Sequence, residues 1–173
     1  MPELIPVLDK DAIARYVAVV AKQISSDYQD GDLVIIGVLK GAFVFMADLI
    51  RQLTLSSFTI DFIRLASYGN ETASSGQVRI VHDIETDIRD KDVLIIEDIF
   101  DTGLTLSHLC RHLQEREPRS IRICALIDKT ERRQADLQPD YLCHRVDQGF
   151  LVGYGLDYAE AYRNLPGIFN LKL

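Results

Sequence analysis

The sequence predicts an α/β fold, a mainly parallel twisted sheet flanked by helices, and three observations carry that prediction. Aliphatic runs such as Val93-Leu94-Ile95-Ile96 and Leu33-Val34-Ile35-Ile36 show no helical period, as strands buried on both faces require. Amphipathic helical stretches alternate with these runs, the βαβ pattern of a sheet covered on both sides. The 173 residues, 47% of them hydrophobic and 26% charged, suffice for one domain with a substantial core.

The elements follow in order. Residues 11–24 form a first amphipathic helix, with Asp9 or Asp11 available as its N-cap. Asp30-Gly31-Asp32 turns into a strand over 33–38, and residues 41–53 read as helix. A strand over 58–65 leads into a polar loop, 67–75, with Gly69 and Gly76 nearby. Residues 78–81 make a short strand and 93–96 the central one. The helix predicted over 102–115 is stopped by Pro118, and 120–127 is a further strand. Beyond Lys129 the pattern breaks into short pieces around Pro139, Gly149, Gly153, Gly155 and Pro166. These predict a small C-terminal hood on one domain, residues 1–173. The core spans about residues 10–128, and the hood about 129–173 with the N-terminal segment. The helix over 41–53 is apolar around most of its circumference, from Ala42 and Phe43 to Ile50 and Leu53. It is therefore covered on two sides, by core or by a second subunit.

Composition narrows the function. No apolar stretch approaches the ~18 residues of a membrane helix, and Met1-Pro2-Glu3-Leu4-Ile5 lacks the features of a secretory signal. Cys110, Cys124 and Cys143 are odd in number and lack CxxC spacing, which predicts reduced thiols and a cytoplasmic location. Twenty-six acids against 19 bases give a net charge of −7, which speaks against a nucleic acid partner. Gly153 and Gly155 lack the third glycine and the following helix of a dinucleotide fingerprint. His108 and His112 lie four apart on a helix without an evident third ligand for zinc.

The most informative stretch is Val93 to Leu106. A buried strand leads into Glu97-Asp98-Ile99-Phe100-Asp101, and Thr102-Gly103-Leu104-Thr105 then opens a helix. Free amides and the positive dipole end at a helix start attract phosphate. The acids just before it would repel that phosphate unless they serve hydroxyls or a metal on the same ligand. A sugar phosphate with free hydroxyls satisfies both halves.

That stretch resembles the signature loop of type I phosphoribosyltransferases, which use 5-phosphoribosyl-1-pyrophosphate. Leu39-Lys40-Gly41, Ser67-Tyr68 and the run Phe150 to Tyr158, FLVGYGLDY, are similar to the hypoxanthine-guanine branch in its short bacterial form. The resemblance covers roughly residues 5 to 170. It implies the type I phosphoribosyltransferase fold and conversion of hypoxanthine or guanine to IMP or GMP with release of pyrophosphate.

It also implies roles. Asp101, Thr102, Gly103, Leu104 and Thr105 wrap the 5′-phosphate, and Glu97 and Asp98 hold the ribose hydroxyls. Asp101 is the general base or acid at purine N7. Lys40, Gly41 and Arg163 meet pyrophosphate, with a non-proline cis peptide at Lys40-Gly41. Ser67 and Tyr68 belong to a flexible lid. Lys129 donates to the purine O6, Phe150 stacks on the ring, and the carbonyls of Leu151 and Asp157 read its edge. Charge calls for Mg²⁺, since pyrophosphate brings several negative charges into an acidic protein. The resemblance points to Glu97, Asp98 and Asp157 as its ligands. It supports a homodimer or homotetramer. The alternatives are a sensor of phosphoribosyl pyrophosphate on the same fold, or a member preferring xanthine or a pyrimidine.

Overall fold

The computed structural model describes residues 2–28, 31–67 and 78–173. Strand β1 (Glu3–Leu8) leads into helix α1 (Lys10–Asp27), whose N-cap Asp9 accepts from the Ala12 amide at 2.7 Å. There follow β2 (Leu33–Leu39), α2 (Phe43–Gln52), β3 (Thr59–Ser67), β4 (Val78–His82) and β5 (Asp92–Phe100). Then come α3 (Leu104–Gln114), β6 (Ser120–Lys129), β7 (Tyr141–Val146), β8 (Leu151–Val152) and β9 (Ile168–Lys172).

Six strands form the main sheet in the order β4-β3-β2-β5-β6-β7, all parallel except β4. Successive strand residues face opposite sides. Leu33, Ile35, Leu94 and Ile96 accordingly pack with Ile13, Val17, Phe45 and Leu49 of α1 and α2. Val34, Ile36, Val93 and Ile95 pack with Leu106, Leu109 and Leu113 of α3. The aliphatic runs are therefore buried on both faces, as the sequence predicts.

From β2 the chain first builds toward β3 and β4, then returns to add β5 on the other side. Beyond the carboxyl ends of β2 and β5 the loops diverge and leave a crevice, the usual ligand site of such sheets. These ends carry Lys40-Gly41 and the stretch from Glu97 to Thr105.

A second sheet, β1-β9-β8, joins the N-terminal segment to the C-terminal strands by antiparallel pairing. One expected boundary moves. Residues 141–146, assigned by sequence to the hood, are instead the sixth strand of the main sheet, parallel to β6. As an edge strand resting on α1 it buries only alternate residues, Tyr141 and Cys143, so it lacks an aliphatic run.

Candidate active site

The sequence ends the central strand at Ile96, but β5 continues to Phe100. β6 runs on beside it, pairing Glu97 with Ala125, Ile99 with Ile127 and Phe100 with Asp128. The acids thus belong to the strand. α3 starts at Leu104, two residues later than expected, because Gly103 turns the chain at φ +81°. The Leu104 amide donates to Thr102 Oγ1 at 3.3 Å. A cavity of about 140 Å³ lies here, lined by Glu97, Asp98, Asp101, Thr102, Gly103 and Thr105, with Ile99 and Leu106. It combines the amino end of a helix with three carboxylates.

Those carboxylates differ in character. Glu97 is buried, and burial holds its carboxyl well above the usual range, with the neighbouring Asp98 charge adding to the rise. Asp98 accepts from the Ile99 amide at 2.7 Å. One oxygen of Asp101, Oδ1, is buried with no hydrogen-bond partner among the described residues. The other lies 3.4 Å from Nη1 of the exposed Arg132. A buried carboxylate oxygen is rarely left unpaired, so Asp101 is the acid with most capacity to engage a ligand proton.

The Lys40-Gly41 turn lies against this acid pair. A Cβ added at Gly41 would overlap Asp98 Oδ2, and one at Gly155 would overlap the Gly41 carbonyl oxygen. The turn is therefore sandwiched between β5 and the hood, and a side chain would break either contact. The cis peptide is the bond Leu39-Lys40, not Lys40-Gly41 as expected; the turn departs where β2 leaves its ladder, at Leu39 beside Arg64.

Arg163 continues the chain of contacts. It donates to the Gly155 carbonyl at 2.7 Å and pairs with Asp157 at 2.9 Å. Glu160 stands over both expected pyrophosphate cations, 3.1 Å from Lys40 Nζ and 3.4 Å from Arg163 Nη2. Those two cations hold its carboxyl below the usual range. Its amide donates to Asp157 Oδ2 at 2.8 Å.

At the other side, Phe100 and Asp128 are register partners, so Asp101 leaves β5 beside Lys129, the last residue of β6. Phe150 is 51% exposed, and its ring meets Tyr158 edge-on at 5.6 Å. Its backbone is fixed, the amide by Asn170 Oδ1 at 3.1 Å and the carbonyl by the Leu171 amide at 2.8 Å. Leu151 is buried in β8. An anchored backbone with a half-exposed ring is a fair stacking surface. Ser67 ends β3, while Tyr68 and the rest of the expected lid lie outside the described residues.

Two participants escaped the sequence reading. Glu160 belongs to no motif in the sequence. Arg133, which binds the Asp101 carbonyl at 3.0 Å, sits in a polar stretch with no motif. Sequence could have flagged only the paired bases Arg132-Arg133 shortly after Lys129.

Among the described residues, no group of three or more His, Cys, Asp or Glu could hold a metal ion by itself. Asp98 beside Gly41, Glu97 next to it in β5 and Asp157 in the hood are nevertheless hard oxygen donors. Magnesium binds through one or two carboxylates, waters and substrate phosphates, and this donor set fits an ion completed by the substrate. The three thiols are free. Burial raises Cys110 to about 11 and Cys143 to about 12, which leaves them poor nucleophiles.

Comparison with known proteins agrees with this geometry. A family model for the phosphoribosyl transferase domain matches residues 6–159. The hypoxanthine-guanine phosphoribosyltransferase of Bacillus subtilis (strain 168) is 47% identical over 165 residues, covering 95% of this chain and 91% of that protein. That of Dictyostelium discoideum is 45% identical over 163 residues, covering 92% and 91%. A crystal structure of a hypoxanthine phosphoribosyltransferase from Staphylococcus aureus superimposes with a TM-score of 0.92 at 43% identity, covering 96% of this chain and 90% of that one.

Proposed function

This chain belongs to the phosphoribosyl transferase domain family, and we propose that it is a purine salvage enzyme. It joins hypoxanthine or guanine to the phosphoribosyl group of 5-phosphoribosyl-1-pyrophosphate, giving IMP or GMP and pyrophosphate. The observation that carries this reading is the contact of Gly41 with Asp98 beside the 140 Å³ cavity. It joins the turn after β2 to the acid pair of a cavity that opens at a helix start.

The residues divide the donor among them. The 5′-phosphate sits against the amides of Thr102, Gly103, Leu104 and Thr105, with the Thr102 and Thr105 hydroxyls as further donors. Glu97 and Asp98 accept from the ribose hydroxyls. Lys40, the Gly41 backbone and Arg163 receive pyrophosphate, exchanging their pairs with Glu160 for pairs with the ligand. Ser67 and Tyr68 close over that end and exclude water from the reactive sugar carbon. Phe150 stacks on the purine, Lys129 donates to O6, and the Leu151 and Asp157 carbonyls read the other edge.

Asp101 acts at N7, where the uncommitted oxygen can take up the proton and raise the nucleophilicity of the ring, worth about 10²–10⁴-fold. Magnesium, when bound near Glu97, Asp98 and Asp157, neutralises the charge that builds on departing pyrophosphate.

Among the described residues no helix is long and apolar enough to cross a membrane, and free thiols suit the reducing cytoplasm, where we place the enzyme. We place its homodimer or homotetramer contact on α2. Phe45, Met46 and Leu49 of that helix are core residues, while Phe43 remains 46% exposed. Steady-state rates with hypoxanthine, guanine, xanthine and adenine test the reading. Nucleotide should form from hypoxanthine or guanine and not from adenine; turnover of adenine alone, or of none of the four, overturns it.

A further inference from the structure

We propose that Arg133 is a positioning residue for the phosphate loop, fixing the peptide planes that aim its amides at the ligand and holding Asp101 in register with Lys129. The inference rests on the transferase reading above, and it concerns a residue outside the binding cavity, whose lining does not include Arg133, Gln134 or Ala135.

Arg133 Nε donates to the Asp101 carbonyl at 3.0 Å. The amides of Gln134 and Ala135 donate to the Thr102 carbonyl at 2.9 and 3.0 Å. In a trans peptide the N–H points away from the C=O of the same unit. Binding the Asp101 carbonyl on the outer side therefore turns the Thr102 N–H the other way. Binding the Thr102 carbonyl does the same for the Gly103 N–H. A phosphate loop works through such preset amides, and their orientation comes from the segment behind it.

Arg133 is itself firmly held. Its side chain is 14% exposed, and it pairs with Asp128, which is fully buried. A second guanidinium nitrogen, Nη1, donates to the Leu137 carbonyl at 3.0 Å. Its guanidinium lies 4.1 Å from the centroid of the Phe100 ring, a cation–π contact. Only the planar fork of arginine can meet a carbonyl, a second carbonyl, a carboxylate and a ring at once. Asp128 directly precedes Lys129 on β6, and Phe100, the last residue of β5, directly precedes Asp101. One guanidinium thus bridges the roots of the residue assigned to the purine O6 and the residue assigned to N7.

Arg133→Lys tests this, because lysine keeps the charge beside Asp128 but cannot hold the Asp101 carbonyl as well. The unmodified chain and the variant are compared by melting temperature, by the KM of each substrate and kcat, and by calorimetric binding of IMP. The variant should melt within a few degrees of the parent. The donor KM and the IMP dissociation constant should rise about tenfold, the loss of one strong hydrogen bond's worth of orientation, with the hypoxanthine KM rising less. Unaltered donor KM and IMP affinity in a folded variant overturn the proposal, as does equal loss for both substrates. Should Arg133→Lys fail to fold, Phe100→Leu removes the ring beneath the guanidinium while keeping an apolar side chain at that core position. A two- to threefold rise in the IMP dissociation constant is then expected, roughly the loss of one cation–π contact, and no rise is contrary. A wrong transferase reading shows itself separately, as absent turnover in the unmodified chain.

Discussion

The two ends of the proposed donor site are built differently. At the end proposed for the 5′-phosphate and ribose, the groups are short and held from behind. Glu97 lies within β5, the loop carbonyls are tied to residues 133–135, and Gly41 admits no side chain beside Asp98. At the end proposed for pyrophosphate, the groups are long side chains already paired with acids. Lys40 is 46% exposed, and with Arg163 it already carries an anionic partner in Glu160. The difference follows the chemistry. The sugar phosphate stays in the product and must not shift while the bond at C1 changes, so preset geometry serves it. Pyrophosphate must leave, and cations with a substitute partner at hand release it more readily.

The comparison breaks most visibly at Asp101. Asp101→Asn should lower kcat about 10²–10⁴-fold and leave the donor KM within a few-fold, measured by steady-state kinetics over a range of pH. A variant as fast as the parent throughout would remove Asp101 from the chemistry. Gly41→Ala is next. The new methyl group would overlap Asp98, and a displacement of about 1 Å at the reacting centre costs on the order of 10²-fold in kcat/KM. A near-normal Gly41→Ala enzyme would mean that the acid pair and the turn need not touch.

Glu97→Gln separates stability from function at the rigid end. Burial raises this carboxyl, so its folded state holds a proton that the unfolded chain would release. The contribution is therefore fully present below the ordinary carboxylate range and is lost as pH rises through the elevated value. Without ligand, Glu97→Gln should melt a few degrees above the parent at about pH 8, with the gap closing toward about pH 4. Its donor KM should rise severalfold through the weakened hydrogen bonds to the ribose hydroxyls. A lower melting temperature at the higher pH would show that Glu97 is stabilised, not strained, by its surroundings. The smallest effect belongs to Glu160→Gln. Exposed pairs are worth about 0.2–1 kcal/mol, so the donor KM should fall two- to threefold as the cations lose their resident partner. A rise instead would make Glu160 an organiser of Lys40.

The same division decides what sequence could reveal. The buried strands were legible because double-sided burial demands aliphatic runs, and Glu97, Asp98 and Asp101 stood out as acids at the end of one. β7 was missed, since an edge strand with Leu142, His144 and Arg145 between its buried residues carries no such run. The extension of β5 to Phe100 depends on β6 lying alongside, a tertiary fact. Arg133 was invisible because it acts on a backbone carbonyl, which has no residue-type signature, across 32 positions. Residue identities thus expose the groups that touch a ligand better than the groups that aim them.

One crossed binding measurement tests the division of labour most directly: calorimetric dissociation constants of IMP and of magnesium pyrophosphate for the parent, Arg133→Lys and Glu160→Gln. The account expects Arg133→Lys to weaken IMP and spare pyrophosphate, and Glu160→Gln to tighten pyrophosphate and spare IMP. Both ligands moving together in either variant would contradict it.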